Sequence, residues 1–159
     1  MAINDSGERR EFSTGAVRDI AEGKGRCDLL PLGIIGKMME LPYLQDIESY
    51  IRNGDPNFIT VVITDFCETE FGDCETAFLE VSKHYEEGAN KYAERNWEKG
   101  IPLHCYIDSA VRHYLKHLRG DDDERHDRAF LWNLLGALWT QSNKPELIDL
   151  PFSSVKAYE

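Results

Sequence analysis

The sequence predicts a mainly α-helical protein: a helical bundle of about four to five helices, with a short β-strand insertion near 57–66, assembled as an oligomer. Two observations favour this class. Apolar residues recur every three or four positions over three long segments in the second half of the chain, as they do on one face of a helix. Only one segment is rich in β-branched residues. Because 159 residues suffice for one core, we interpret 1–159 as a single domain.

The first elements are short. Residues 1–27 are rich in Gly, Arg and Asp without a hydrophobic period, and we expect an N-terminal arm or loop there. A helix is predicted over 32–41, where apolar residues cluster before Pro42 ends it. A second short helix is predicted over "LQDIESYIR", stopped by the turn pair Asn53-Gly54.

The segment "NFITVVITDF", residues 57–66, follows the turn signal "NGDP" and is interpreted as a β-strand. A single strand needs a pairing partner. Three partners remain open: the N-terminal arm, the residues that follow, or the same strand of a second subunit, in which case it is a dimerisation element.

Three longer helices follow, at about 74–93, 103–118 and 124–141. They complete a helical core over 28–141. The acidic run "GDDD" before the third suits the positive end of a helix dipole. Residues 142–159 are interpreted as a C-terminal tail, because Pro145 and Pro151 prevent one long helix.

The charge balance limits the possible partners. Twenty-nine acidic residues outnumber 18 basic ones, giving a net charge of −11, so the surface repels nucleic acid unless its cations cluster. An anionic ligand is therefore expected to arrive with a divalent metal. No apolar run approaches the roughly 20 residues that a membrane span needs, and the polar start has no signal region. We expect a cytoplasmic protein without a membrane partner, whose four cysteines stay reduced.

Polar residues on the three longer helices could converge on one site. Glu87 lies four residues before Lys91, and Asp108 lies one turn before Arg112 with His113 adjacent. Converging carboxylates, histidine and amide from several helices would suit Mg²⁺ or Mn²⁺, which take oxygen ligands, water and substrate phosphate. The alternative is that Asp108–Arg112 is an ordinary helix pair on a solvated face.

One amide argues for a site. Asn133 lies within "RAFLWNLLGALW", an otherwise apolar helix that must be buried over most of its circumference. A buried amide without partners costs about 1–3 kcal/mol. His126 lies seven residues earlier on the same helical line. Asn133 is interpreted as a polar group directed into the site, or else as an amide satisfied by a neighbouring helix.

Two weaker patterns are also present in the sequence. The pair His126-Asp127, with His113 or His84 before it and Asp149 after it, resembles the arrangement of a His-Asp metal phosphohydrolase. The glycine-flanked Lys24 and Arg26 in "AEGKGRCD" could clamp phosphates, although the order of residues is not that of a P-loop. A solvated loop explains them equally well.

Long phrases of the sequence resemble a known family. "FSTGAVRDIAEGKGRCDLLPLG", the stretch from "VSKHYEEGANKYAERNWEKG" to "GDDDERH", and "LWNLLGAL" closely resemble the phage and prophage dATP/dGTP diphosphohydrolases, or their N-terminal domain. The match covers roughly 12–36 and 80–140. That family resembles the all-α nucleoside triphosphate pyrophosphohydrolases, whose metals are held by acidic residues on neighbouring helices.

The resemblance implies metal-dependent hydrolysis of dATP or dGTP to the monophosphate and pyrophosphate, in phage nucleotide-pool control within the host cytoplasm, with Mg²⁺ or Mn²⁺ as cofactor. Glu87 and Asp108 are the expected catalytic residues. The expected metal ligands are Glu87, Asp108, Glu124 and His126. The expected substrate-binding residues are Lys24, Arg26, Lys91, Tyr92, Arg95, Asn96, Trp97, Lys99, Arg112, His113 and Asn133.

The sequence departs from the family's pattern at two places. The run before the last helix reads Asp123-Glu124-Arg125-His126-Asp127 where the family usually has Asp-Glu-Asp-His-Leu, and residues of about 40–75 form an insertion. An alternative function is therefore a protein that sequesters a nucleotide signal of host defence without hydrolysis. A homodimer or homotetramer is expected, because related enzymes build their sites from several chains.

Overall fold

The structure, a computed structural model, describes residues 5–152 and contains six α-helices and one β-hairpin. The mainly helical fold class is therefore confirmed. Residues 1–4 and the part of the expected tail beyond 152 lie outside the described residues. The elements are β1 (Arg9–Glu11), β2 (Val17–Asp19), α1 (Leu32–Met38), α2 (Pro42–Asn53), α3 (Pro56–Phe71), α4 (Cys74–Lys91), α5 (Leu103–Arg119) and α6 (His126–Asn143).

The predicted strand at 57–66 is wrong, because this segment is helix α3. The helix starts where the Asp55 side chain accepts the backbone N–H of Asn57 and where Pro56 supplies a preset φ. Its buried residues repeat at helical, not strand, spacing. They are Ile59, Val62, Ile63, Phe66 and Cys67.

Helices α2 and α3 form one side of the hydrophobic core. Four residues of α2 are buried there: Leu44, Ile47, Tyr50 and Ile51. Phe66 of α3 packs edge-on against Phe130 of α6, with the ring centroids 4.8 Å apart. The segment from about 40 to 75, which the sequence analysis predicts to be an insertion, thus supplies core residues.

The N-terminal arm contains a hairpin that the sequence did not predict. Strands β1 and β2 pair antiparallel with Arg9 opposite Asp19, Arg10 opposite Arg18 and Glu11 opposite Val17. Ala16, between the strands, is fully buried in the core. The hairpin therefore docks on the helices.

The three longer helices are confirmed close to their predicted bounds. Helices α5 and α6 pack closely because Gly136 leaves room for the ring of Tyr106. A Cβ built on Gly136 would lie 2.3 Å from Cε1 of that ring. Among residues 5–152, no helix combines the length and apolarity needed to cross a membrane.

Gly136→Ala should destabilise the protein. Alanine gains about 1 kcal/mol of helix propensity over glycine, but overpacking a core costs about 1–3 kcal/mol. The backbone of α6 and the fully buried Tyr106 ring leave little room for adjustment. We expect a lower midpoint in urea, and an unchanged or higher midpoint would contradict this packing.

The chain after α6 is anchored to the start of α5 by one ion pair. Asp149 accepts the backbone N–H of His104 at 2.8 Å and also bonds to the His104 ring. That bond, with a second from Cys105, raises the pKa of His104 from 6.5 to about 10. The pair therefore contributes stability that is fully present below pH 6.5 and is lost as the pH rises through about 10.

Asp149→Asn should lower the melting temperature at pH 6–7 by a few degrees at most. The pair is partly exposed, and such pairs contribute up to about 1 kcal/mol. The amide oxygen can still accept the His104 N–H, so the variant removes the charge alone. The difference from wild type should shrink as the pH approaches 10, and a difference that does not change with pH would overturn the assignment.

A cationic cavity between the hairpin and helices α4, α5 and α6

A cavity of about 620 Å³ lies between the β-hairpin, α4, the loop after α4, α5 and α6. Ten of the predicted site residues line it. They are Lys24, Lys91, Tyr92, Arg95, Asn96, Trp97, Arg112, His113, Glu124 and Asn133. Residues from 27 to 83, which include α1 to α3, are not among its lining residues.

The charge of the cavity is opposite to that of the whole chain. Of the 18 Lys and Arg residues of the full chain, seven line it, against three of its 29 Asp and Glu residues, with lining residues known for 5–152. Sequence reasoning did not find three of these cations, which are Arg10, Arg18 and Lys116. A strongly acidic protein thus concentrates positive charge at one concave site, which favours an anionic ligand.

Arg18, on β2, is the most constrained of these cations. Its guanidinium donates to the Cys105 carbonyl at 3.4 Å and to Ser109 Oγ at 3.2 Å, both on α5. It also lies over the rings of Tyr106 and Trp132, 5.6 and 5.5 Å from their centroids. No carboxylate of residues 5–152 forms an ion pair with it. Burial lowers the pKa of Arg18.

Asn133 lies in an otherwise apolar helix because its side chain binds the guanidinium of Arg18. Its Nδ2 donates to the Ala129 carbonyl one turn earlier at 2.8 Å, and its Oδ1 accepts from Arg18 at 3.2 Å. The amide is thus satisfied at both ends while only 2% exposed. It supplies Arg18 with an acceptor that carries no charge, so the positive charge stays uncompensated.

Asn96 fixes the hairpin in place. Its side chain accepts the backbone N–H of Val17 at 2.9 Å and donates to the Val17 carbonyl at 2.7 Å. Arg95, just before it, adopts a left-handed conformation with φ of 57°, and Thr14 bonds to the Gly100 carbonyl at the other end of this loop. The loop "RNWEKG" thereby positions β2, and with it Arg18.

Aromatic rings form another part of the cavity wall. Trp97 contacts Tyr85 and Trp139 edge-on, with centroids 5.8 and 5.0 Å apart, and Trp132 lies 5.9 Å from Tyr85. Trp97, Trp132, Tyr85 and Tyr92 all line the cavity. Aromatic faces beside cations are suited to a flat heteroaromatic ring that carries phosphates.

Two histidines meet at the end of the cavity where α5 faces the start of α6. Nδ1 of His113 lies 2.9 Å from Nδ1 of His126 and 3.8 Å from Oε1 of Glu124. His126 Nε2 contacts the Asp123 carboxylate at 2.7 Å. Burial, and after it the charge of neighbouring His126, lower the pKa of His113 below its usual range.

A third histidine, His84 of α4, also lines the cavity. Burial, followed by the positive charge of Arg18, lowers the pKa of His84 from 6.5 to about 4. His84 is therefore neutral at physiological pH and adds no further charge to the site.

Five predicted site residues are not among those that line the cavity. Asp108 accepts the Cys27 backbone N–H and an Arg112 N–H through the same oxygen, each at 2.6 Å, so it fastens the arm to α5. Arg26 pairs with Asp28 at 2.7 Å. His126 contacts His113, Glu87 is half-buried beside the lining residue Gly88, and Lys99 is exposed. Glu87 and Asp108 thus do not line the cavity with Glu124, and neither forms part of a group of possible metal ligands with it among residues 5–152.

The residues of the His-Asp pattern are also separate. Asp127 accepts two hydrogen bonds from Arg125 at 3.0 and 2.9 Å. Asp149 bonds to His104 at the start of α5, whereas His113 lies nine residues further along that helix, about 13 Å. The pattern in the sequence does not correspond to one site.

Comparison with known proteins identifies one family. The family model described as "dATP/dGTP diphosphohydrolase, N-terminal" matches residues 69–150, which include α4, α5 and α6. No curated protein and no solved structure matches the chain. With the match extending over more than half of its residues, the chain belongs to the dATP/dGTP diphosphohydrolase, N-terminal family.

Proposed function

We propose that the chain binds a purine deoxynucleoside triphosphate in the cationic cavity and hydrolyses it to the monophosphate and pyrophosphate. The observation that carries this proposal is Arg18, a partly buried guanidinium held by neutral acceptors and directed at a cavity with six further cations. Leaving such a charge uncompensated is costly, and a phosphate group removes that cost. The family name supplies the reaction class.

The cavity offers separate surfaces for the parts of a nucleotide. Arg10, Arg18 and Lys116 lie with the predicted phosphate ligands Lys91 and Arg112 among the lining residues. The Nε–H of Arg10 and that of Arg112 have no hydrogen-bond partner among the described residues, so donors remain for phosphate oxygens. In this proposal the Trp97 and Tyr92 rings contact the base.

The reaction needs one water and one base. The water oxygen forms a bond to the α-phosphorus, the bond between the α-phosphorus and the α,β-bridging oxygen breaks, and pyrophosphate leaves with that oxygen. The proton of the water passes to one carboxylate oxygen of Glu124, the candidate base because it lines the cavity beside His113, and the second oxygen remains for a metal ion. A divalent metal would supply positive charge opposite the phosphates. The phage role and the oligomeric assembly stay predictions.

Sequestration without hydrolysis is a second candidate function. It is favoured by Asp108, an expected catalytic residue that does not line the cavity and already accepts a backbone N–H and an Arg112 N–H. A binding protein needs the cations and aromatic rings of the cavity but no base.

Incubation with each dNTP and Mn²⁺ or Mg²⁺ in ¹⁸O-labelled water tests the reaction. We expect dATP or dGTP to give dNMP and pyrophosphate, with the label in dNMP because the water attacks the α-phosphorus. Label in pyrophosphate, or release of inorganic phosphate or triphosphate, would contradict the proposed cut. Tight binding without turnover, with intact nucleotide recovered after denaturation, would instead support sequestration.

Changing the Arg18 pair tests the binding site independently of turnover. Arg18→Gln should weaken binding of an α,β-methylene dNTP by about 10-fold to 100-fold, the loss expected for a charge-assisted hydrogen bond. Asn133→Asp should also weaken it at least about 10-fold, because the new carboxylate would neutralise Arg18. Asn133→Leu removes one acceptor of the Arg18 guanidinium, so it should lose ligand and also be less stable than wild type.

Arg52→Gln is the matched control, since it removes one positive charge from α2, outside the cavity. Titration calorimetry measures the affinities and circular dichroism confirms folding. Equal losses for Arg18→Gln and Arg52→Gln would show that only the net charge matters, and would remove the cavity as the nucleotide site.

A further inference from the structure

His113, Glu124 and His126 bring three donor atoms together at the end of the cavity. One ring nitrogen of each histidine and a carboxylate oxygen of Glu124 lie within 4.8 Å of one another. The shortest separation, 2.9 Å between the two Nδ1 atoms, matches the spacing of neighbouring ligands that are each about 2.1 Å from one metal ion. Three different elements supply them: α5, the turn before α6, and the first residue of α6.

The surroundings select which nitrogen of His126 is available. Its Nε2 lies 2.7 Å from the Asp123 carboxylate, which accepts only, so in the neutral ring Nε2 carries the proton. Nδ1 therefore presents its lone pair towards His113 and Glu124. A carboxylate that fixes the far nitrogen of a histidine is the usual outer partner of a metal-bound imidazole.

Burial favours a bound cation at this position over a solvated cluster. His126 is 2% exposed, and the side chains of His113 and Glu124 are 17% and 11% exposed. His113 and Glu124 also line the cationic cavity, so the cluster borders the space assigned to the phosphates. An ion held there would have protein ligands on one side and the cavity on the other.

We propose that His113, Glu124 and His126 bind one divalent transition-metal ion, of the Mn²⁺, Fe²⁺, Co²⁺ or Zn²⁺ class, and that Asp123 is a positioning residue for His126. Two imidazoles and one carboxylate suit these ions, whereas Mg²⁺ takes oxygen ligands almost exclusively. This differs from the metal site expected from the sequence, since it omits Glu87 and Asp108 and adds His113.

A second group of donors shares His126 and must be distinguished. Asp121, Asp123 and His126 also place one ligand atom each within 4.8 Å of the others. Asp121, however, is engaged by Arg119, and the Asp123 side chain is 52% exposed. Neither aspartate lines the cavity. The proposal therefore depends on His113 and Glu124, and not on Asp121.

Metal binding can be measured without nucleotide. The protein is stripped with a chelator and titrated with Mn²⁺, Co²⁺, Zn²⁺ and Mg²⁺ by calorimetry, with the visible spectrum of the Co²⁺ form as an independent readout. We expect one equivalent of transition metal, Mg²⁺ at least about 10-fold weaker, and a Co²⁺ spectrum that indicates nitrogen and oxygen ligands. Absence of binding by the folded wild type, or equal affinity for Mg²⁺, would overturn the proposal.

Three variants locate the ion. His113→Gln and Glu124→Gln should each weaken Co²⁺ binding by at least about 10-fold, the lower end of what losing even an outer partner costs. Asp121→Asn, the matched control, should bind as wild type does. Loss of binding in the Asp121→Asn control alone would place the ion at the group of Asp121, Asp123 and His126. Full binding by all three variants would place it at neither group. Circular dichroism and melting curves confirm that each variant folds.

The inference rests on the proposed function only for what the ion contributes to hydrolysis. Hydrolysis of dATP or dGTP by a protein that binds no transition metal would overturn the inference and leave the proposed function intact. One tightly bound Co²⁺ in a protein that neither binds nor cleaves a dNTP would support the metal site and overturn the proposed function.

Discussion

The hydrogen bond from the Arg18 guanidinium to Asn133 constrains much of the structure. A guanidinium next to apolar rings must be given acceptors, and those acceptors come from three turns of two helices. These acceptors fix how closely β2 approaches α5 and α6. Gly136 lets those two helices pack closely enough for both to supply acceptors to Arg18. Because every acceptor is neutral, the charge of Arg18 is held in position without being cancelled. The cavity's preference for anions follows from that choice of partners.

The helices could be predicted where a single face is apolar and the period is clear, as in α4 and α5. The strand predicted at 57–66, within helix α3, is wrong because β-branched residues favour strands when each residue is taken alone. The helical evidence was present in the same segment: Asp55-Pro56 is a helix start, and Ile59, Val62 and Phe66 repeat at helical spacing. Thr60 and Thr64 bond back to carbonyls one turn earlier, which accommodates them in the helix.

The site was predicted in part, and the reason differs by residue. Lys91, Asn96 and Trp97 lie in a phrase that resembles the family, and they line the cavity. Arg18 could not be found by periodicity, since its strand is three residues long and Asn133 is 115 positions away. For Asp108, the sequence pattern was visible but did not distinguish between two roles. A carboxylate four residues before an arginine has the same pattern whether it binds a ligand or caps the backbone of a distant loop, as it does here.

The way in which Asn96 holds Val17 has a thermodynamic consequence. Ala16 is the one fully buried side chain between residues 9 and 19 and Phe12 is only partly buried, so polar bonds such as those of Asn96 contribute much of the hairpin's attachment. Segments attached in this way separate from the core at a small free-energy cost compared with global unfolding. Any anion that contacts Arg18 together with α5 or α6 therefore favours the docked hairpin, and the docked hairpin favours that anion by the same amount. Closing the wall of the cavity and filling it form a single coupled equilibrium.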